Sequence, residues 1–301
     1  MKKLNVLSLF DGMSCGRIAL DRAGLEVGNY FASEIDKHAV AVAKHNYPST
    51  MHIGDVTKVK YHDGKLFNSD GNVVFEGTID MVIGGSPCQS ISNLGNGDGL
   101  DGKSGLFFEY LRLINEVKPK YFLLENVVGS KKAVDRISEL VNVKPILFNS
   151  NIVSAQNRSR YYWTNIKFEL PSQKNIFLKD ILDTNPKNTC ELTPGRFKWL
   201  TSDKGQLCVS KKYAVIDPEK ANCLTARSDA SWNSNYVTRE HYGITKLTCE
   251  EYEKLQTVPV GYTSMAKTSE RYKMLGNGWT VDVIAHIFKN IKEDNVQIEA
   301  R

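Results

Sequence analysis

Short apolar runs alternate with amphipathic segments through the first half of the chain. LNVLSLF (4–10) reads as a buried strand ending in DGMSCG, after which Ile18, Leu20 and Ala23 keep helical spacing up to Gly24. Strand VGNYFASE (27–34), helix DKHAVAVAKHNY (36–47) and strands TMHIGDV (50–56) and IDMVIGG (79–85) follow. Then come helix LFFEYLRLINEV (106–117), strand YFLLEN (121–126), helix AVDRISELV (133–141) and strand PILFNSNIV (145–153). This alternation predicts an α/β fold, a doubly wound and mostly parallel sheet covered on both faces. KLFNSDGNVVFEG (65–77) interrupts it and reads as a β-hairpin turning at Asp70-Gly71. Between Lys167 and Lys246 the alternation stops, and short strands with Asn and Ser clusters predict a smaller, irregular, β-rich lobe. TVDVIAHIFKNI (280–291) returns to an amphipathic helix.

Composition adds to this mainly through its distribution. The 301 residues, 41% of them hydrophobic, suffice for a core without covalent staples. The net charge of +5 is a mild basic excess that permits polyanion binding. Residues 161–246 carry 13 Lys/Arg against 9 Asp/Glu, mixed with Tyr161, Tyr162, Trp163, Trp199, Trp232 and Tyr236. Basic residues among aromatics suit nucleic acid, as they would also suit a solvated surface over an ordinary core. The six cysteines, at 15, 88, 190, 208, 223 and 249, form no CxxC pair, so no metal site is expected and the thiols should be reduced in a cytoplasm. Asp11 interrupts the only apolar run near the N-terminus, and neither a secretory leader nor a membrane span is expected.

Open parallel sheets bind ligands beyond the C-terminal ends of their strands, and the chemically suggestive residues fall there. FDGMSCG is a glycine-bearing strand-to-helix turn that could let a nucleotide-like ligand approach, or could be a plain tight turn. Glu34 and Asp55 end the next two strands, where they could accept from ribose hydroxyls and an adenine amine or simply face solvent. GGSPCQ puts Cys88 in a turn just past a buried strand, as an inert loop thiol or a positioned nucleophile. Glu125 lies at the neighbouring strand end, and Arg158 and Arg160, two residues apart, fall on one side of an extended segment.

Thiol, acid and arginines in that order resemble the DNA (cytosine-5)-methyltransferases. The resemblance runs through most of the chain: FDGMSCG, Glu34, Asp55, GGSPCQ, ENV, QNRSR, KLTCEEYEKLQTVP and LGNGW, in the family's order. The stretch from Leu106 to Val127 is most similar to the branch that includes de novo enzymes and some phage or bacterial enzymes. It implies an S-adenosylmethionine-dependent methyltransferase fold with Cys88 as the nucleophile toward C6 of a flipped cytosine. Glu125 would protonate or hydrogen-bond N3, and Arg158 and Arg160 would orient the base. S-adenosylmethionine would be held by Phe10, Asp11, Gly12, Ser14, Cys15, Gly16, Glu34, Ile35, Asp55, Val56 and Pro87, with Asn277 and Trp279 closing the pocket.

Three departures stand out: Ser14 and Cys15 replace smaller residues of the first block, Ile91 replaces a common Phe, and Cys223 replaces Thr in NCLTAR. Gln89, Ser90, Cys223, Leu224 and Arg227 are the implied DNA contacts, although Cys223 and Leu224 also read as a packed strand. The resemblance divides the chain into a catalytic part (1–182), a target-recognition domain (183–269) and a C-terminal segment (270–301) completing the first. It implies double-stranded DNA as partner, a monomer, and location in a bacterial or phage-infected cell. A restriction endonuclease partner is not visible in the sequence. Transfer RNA is the alternative substrate, since one branch of the family methylates it.

Overall fold

β1 (Leu4–Leu9) is paired on both edges, with β2 (Val27–Ser33) and with β7 (Met81–Gly84), both parallel to it. β3 (Met51–His52) extends the sheet beyond β2, and β8 (Tyr121–Val127) extends it beyond β7, again in parallel. β10 (Ser159–Thr164) lies antiparallel to β8, and β9 (Ile146–Asn149) completes the order β3-β2-β1-β7-β8-β10-β9. The order reverses at β1, so the switch point of the sheet lies between β1 and β7. The structure is a computed structural model that describes residues 3–87, 105–184, 186 and 191–299.

The helices that alternate with the strands of this sheet form where the apolar spacing expects them, and their ends have local causes. Asp36 caps helix Lys37–Asn46 by accepting from the His38 and Ala39 N–H groups. Ser130 caps Lys131–Val141 by accepting from the Ala133 N–H. Gly24, at φ 68°, ends helix Cys15–Ala23 in the left-handed conformation that glycine adopts without penalty. Helix Gly105–Val117 presents Phe107, Tyr110 and Leu113 to the sheet, where they pack with Leu7, Phe31, Val82, Leu124 and Trp163. These side chains are fully buried, and the Trp163 Nε1–H donates to Ser138 Oγ at 3.0 Å, so the indole keeps a partner.

The hairpin expected at Asp70-Gly71 is present and has a third strand. β5 (Lys65–Phe67) pairs antiparallel with β6 (Val73–Glu76), and β4 (Lys60–His62) pairs with the other edge of β5. Gly71 takes φ 83°, while Asn68 Oδ1 accepts from the N–H groups of Asp70 and Asn72. The Tyr61 N–H donates to Glu116 at 2.9 Å, and Arg112 donates to the carbonyls of Val56 and Val59, which ties this small sheet to helix Gly105–Val117.

The chain forms two compact units. The first comprises Met1–Phe148, Ser159–Leu170 and Val283–Arg301; the second comprises Asn149–Arg158 and Pro171–Asp282. Residues 149–158 bond inside the second unit. The Asn157 N–H donates to Ala221 O, and the Ala221 N–H donates to Ala155 O, each at 2.8 Å. The second unit holds the sheet β11 (Val215–Ile216), β12 (Asn235–Arg239) and β13 (Gly243–Lys246). It also contains the short helices Pro194–Leu200 and Asp203–Ser210, which the apolar pattern does not announce, and the longer Thr268–Asn277. Among the described residues, no helix is long and apolar enough to cross a membrane.

Gly84 closes β7 where a Cβ would stand 2.8 Å from the Leu9 carbonyl oxygen and 3.1 Å from the Tyr110 ring. Backbone oxygen cannot move aside without parting β1 from β7. Gly84→Ala should therefore lower the unfolding free energy by about 1–3 kcal/mol, read as a lower urea midpoint at unchanged slope. An unshifted midpoint would mean that the two strands separate freely at this end.

Candidate active site

The C-terminal ends of β1, β2, β3, β7 and β8 emerge along one edge of the sheet because all five strands run parallel. Phe10 leaves β1 with φ 57° and Gly12 follows with φ 59°, so the chain turns sharply into helix Cys15–Ala23. Asp11 sits inside that turn and is buried. Its carboxylate accepts from Ser8 Oγ at 2.6 Å, Ser14 Oγ at 2.5 Å and Tyr30 OH at 2.7 Å. Burial nevertheless outweighs the three hydroxyl donors and, with the nearby Glu34 charge, pushes its pKa up to about 6. Ser14 is the residue before the helix, in left-handed conformation, and Cys15 and Gly16 are buried in its first turn.

Glu34 is fixed at the end of β2 by main-chain donors. Its Oε2 accepts from the Gly12 N–H at 2.8 Å, and its Oε1 from the Ile35 and Asp36 N–H groups at 2.7 and 2.8 Å. The turn after β1 and the acid after β2 are therefore one bonded assembly. Ile35 beside it is 78% exposed, an apolar side chain held open at a strand end. Past β3, Asp55 Oδ1 accepts from the N–H and hydroxyl of Thr57, which leaves Oδ2 unbonded among the described residues, and Val56 is buried.

On the other side of β1, β8 and β10 bring an acid and a cation together. Glu125 pairs across the ladder with Tyr162, and Arg160 with Val127. Arg160 Nε lies 2.9 Å from Glu125 Oε1, with both side chains largely buried. Asn126, next along β8 and 2% exposed, donates through Nδ2 to Ser86 O at 2.9 Å and Ser86 Oγ at 3.1 Å. The strand that carries Glu125 thus also clamps the segment Gly85–Pro87, in which Pro87 is exposed. Cys88, Gln89 and Ser90 follow directly and lie outside the described residues.

Arg158 and Arg160 have different partners. Arg158, 4% exposed, donates to Leu224 O at 2.6 Å, Gly276 O at 3.2 Å and Gly278 O at 2.9 Å, and its Nη1 lies 3.4 Å from Cys223 Sγ. Leu224 is fully buried and its N–H donates to Gln156 Oε1, so its side chain offers no surface in this structure. Cys223 is half-buried on the wall of a cavity, and Arg227 stands exposed at a turn beside it. Asn277 ends helix Thr268–Asn277 and Trp279 follows, both in the second unit. Sequence reasoning passed over Ser8, Tyr30 and Asn126. The signal for the first two is a buried carboxylate that requires donors, and for Asn126 an amide directly after Glu125 in ENV.

The fold is that of methyltransferases already solved. The Entamoeba histolytica methyltransferase EhMeth superposes with a TM-score of 0.75 at 17% identity over 98% of this chain and 99% of that one. The S. pombe Dnmt2 methyltransferase gives 0.73 at 17% identity, covering 97% and 99%. The chain belongs to the C-5 cytosine-specific DNA methylase family, whose model matches residues 4–204 and 195–293. This class of enzyme takes its methyl group from S-adenosylmethionine. The type II methyltransferase M.NgoPII of Neisseria gonorrhoeae is 39% identical over 96% of both chains. The orphan methyltransferase M.SPRI of Bacillus phage SPR is 30% identical over 81% of this chain but only 59% of its own length.

Two outcomes follow from this geometry. Because burial raises the Asp11 pKa from 3.8 to about 6, the folded state holds that proton more tightly than the unfolded chain. The contribution is complete below pH 4 and is lost as pH rises through 6, on the order of 3 kcal/mol. Asp11→Asn should flatten the fall in unfolding free energy between pH 4.5 and 7, measured by denaturant melts; an unchanged slope would remove Asp11 as its source. Separately, Glu34→Ala should weaken S-adenosylmethionine binding by about tenfold or more in calorimetry. Unchanged affinity would mean that Glu34 does not hold the cofactor.

Proposed function

We propose that the protein methylates C5 of a cytosine flipped out of a specific duplex DNA sequence, through a transient bond between Cys88 and C6. The observation that carries this reading is the Glu125–Arg160 pair at 2.9 Å, on the strand whose Asn126 holds Ser86, two residues before the thiol. The residues at the strand ends suit the cofactor. Glu34 presents a carboxylate preset by main-chain donors, Ile35 an exposed apolar face, and Asp55 an oxygen with no bond among the described residues. S-adenosylmethionine, when bound there, supplies the methyl group.

The chain's own residues account for the other steps. Cytosine is too poor in electrons at C5 to attack a methyl group directly. The Cys88 thiolate adds to C6, and the displaced electron pair enriches C5 as N3 takes up a proton or a hydrogen bond from Glu125. Arg160 orients the Glu125 carboxyl and offsets charge developing on the ring. Once C5 carries the methyl group, transfer of its proton to water, return of the N3 proton to Glu125 and β-elimination restore the thiolate and the aromatic ring. In this reading Arg158 is a positioning residue, since it holds main chain around Leu224 and Gly276. The second unit, where Phe197, Tyr213 and Trp232 stand exposed among basic residues, is the part that recognises the target. Tyr236 is buried, and Tyr161, Tyr162 and Trp163 belong to the first unit.

Duplex DNA with 5-fluorocytosine at the target site tests the pathway, because fluorine leaves no C5 proton to remove. The protein should form an adduct that survives denaturing electrophoresis and accumulates fully only with S-adenosylmethionine. Cys88→Ala should form none, and Glu125→Gln should form it more slowly. A stable adduct in Cys88→Ala would overturn the role of this thiol. Trapping on transfer RNA but not on duplex DNA would assign the enzyme to RNA.

A further inference from the structure

The second unit contains a cavity of about 500 Å³, lined mostly by residues with polar side chains, Tyr213 and others between Asn222 and Asn235. Its walls are braced by their own hydrogen bonds. The Asn222 N–H donates to Asn235 Oδ1 at 2.7 Å, and Asn235 Nδ2 donates back to Asn222 O at 3.2 Å. Ser234 Oγ donates to Ser228 O at 3.0 Å, and the Thr225 N–H donates to Ser228 Oγ at 2.8 Å. Asn222 Nδ2 reaches Lys212 O at 2.9 Å, which fixes the chain that carries Tyr213. The hollow is thus a rigid frame in which these wall groups are already bonded.

The side chains at its rim are different. Arg227, Tyr213 and Asn233 are exposed, and their side chains form no hydrogen bond or ion pair among the described residues. Tyr213 is 62% exposed. The turn that carries Arg227 contains one carboxylate, Asp229, and that is paired with Lys246. Arg227 therefore keeps a guanidinium with no ion pair among the described residues on the wall of this concave surface. Lys211 and Lys212, both exposed, flank Tyr213 with further positive charge.

We propose that this cavity is the subsite that reads one guanine of the recognised sequence, with Arg227 donating to the O6 and N7 edge and Tyr213 and Asn233 bonding the neighbouring edge groups. The proposal rests on the second unit recognising DNA. Its physical basis is the match between a forked, always charged donor and the paired acceptors that guanine alone presents in the major groove. A phosphate needs only charge, and Lys211 and Lys212 supply that from an open surface. A guanidinium at the mouth of a braced hollow instead fixes the direction of its donors, which is what base discrimination requires.

The test is methylation of a randomised duplex library by the full chain, read by bisulfite sequencing, beside methylation of transfer RNA. The wild type should select guanine at one or more fixed positions. Arg227→Ala should lose selectivity at one of them by about 5–150-fold while keeping the others, the range expected for one bidentate base contact. Arg227→Gln should move the preference there toward adenine, a gain that misfolding cannot mimic. Tyr213→Phe and Asn233→Ala should each blur the same position. Uniform weakening on all sequences would make Arg227 a phosphate contact and overturn the proposal, as would unchanged selectivity in both Arg227 variants. If the wild type marks transfer RNA and not the library, the DNA reading itself falls.

Discussion

Everything at the site depends on β1 being shared by two parallel neighbours. A parallel ladder points every strand the same way, so the turns after β1, β2, β3 and β7 leave from one edge. Short polar segments far apart in sequence then meet without a long loop to carry them. Main-chain bonding makes the arrangement stiff, since Glu34 holds the Gly12 N–H and β8 holds the segment ahead of the thiol through Asn126. The antiparallel strand β10 adds a cation to this edge by laying Arg160 against Glu125.

A second framework, wholly inside the second unit, is built from amides and carbonyls. Gln156 donates to Leu255 O and Gln256 Oε1, and its Oε1 accepts from the Leu224 N–H. Gln256 in turn donates to Leu275 O and Gly278 O, while Thr280 donates to Gln256 Oε1. Arg158 adds its bonds to the same stretch of main chain. Gly276 belongs to this network for a steric reason, since a Cβ there would stand 2.2 Å from the Thr225 carbonyl. The short motifs QNRSR and LGNG thus hold one another in register, apart from any chemistry at the strand ends.

Much of this was legible in the sequence where the signal was periodic. Apolar runs such as MVIG and helical spacing such as LFFEYLRLINEV announced the buried strand β7 and the helix that covers the sheet. The acids at strand ends were legible because a carboxylate beside a buried run is conspicuous. What stayed hidden depends on distant partners. Arg158 and Arg160 look equivalent on an extended segment, yet one bonds across a ladder and the other to three carbonyls. The helices Pro194–Leu200 and Asp203–Ser210 are too short, and too rich in glycine and polar residues, to show a period. Leu224 resembles a contact residue by motif, but it is packed away from solvent.

The way Arg158 holds its partners bears on how such a protein can change over generations. Its guanidinium grips carbonyl oxygens, and a carbonyl is the same whatever side chain its residue carries. Substitutions around residues 222–227 can therefore accumulate without loosening these bonds, provided the backbone keeps its course. The framework inherits shape and leaves chemistry open to variation. Mutation can rewrite the exposed side chains of the turn while the fastening beneath them persists.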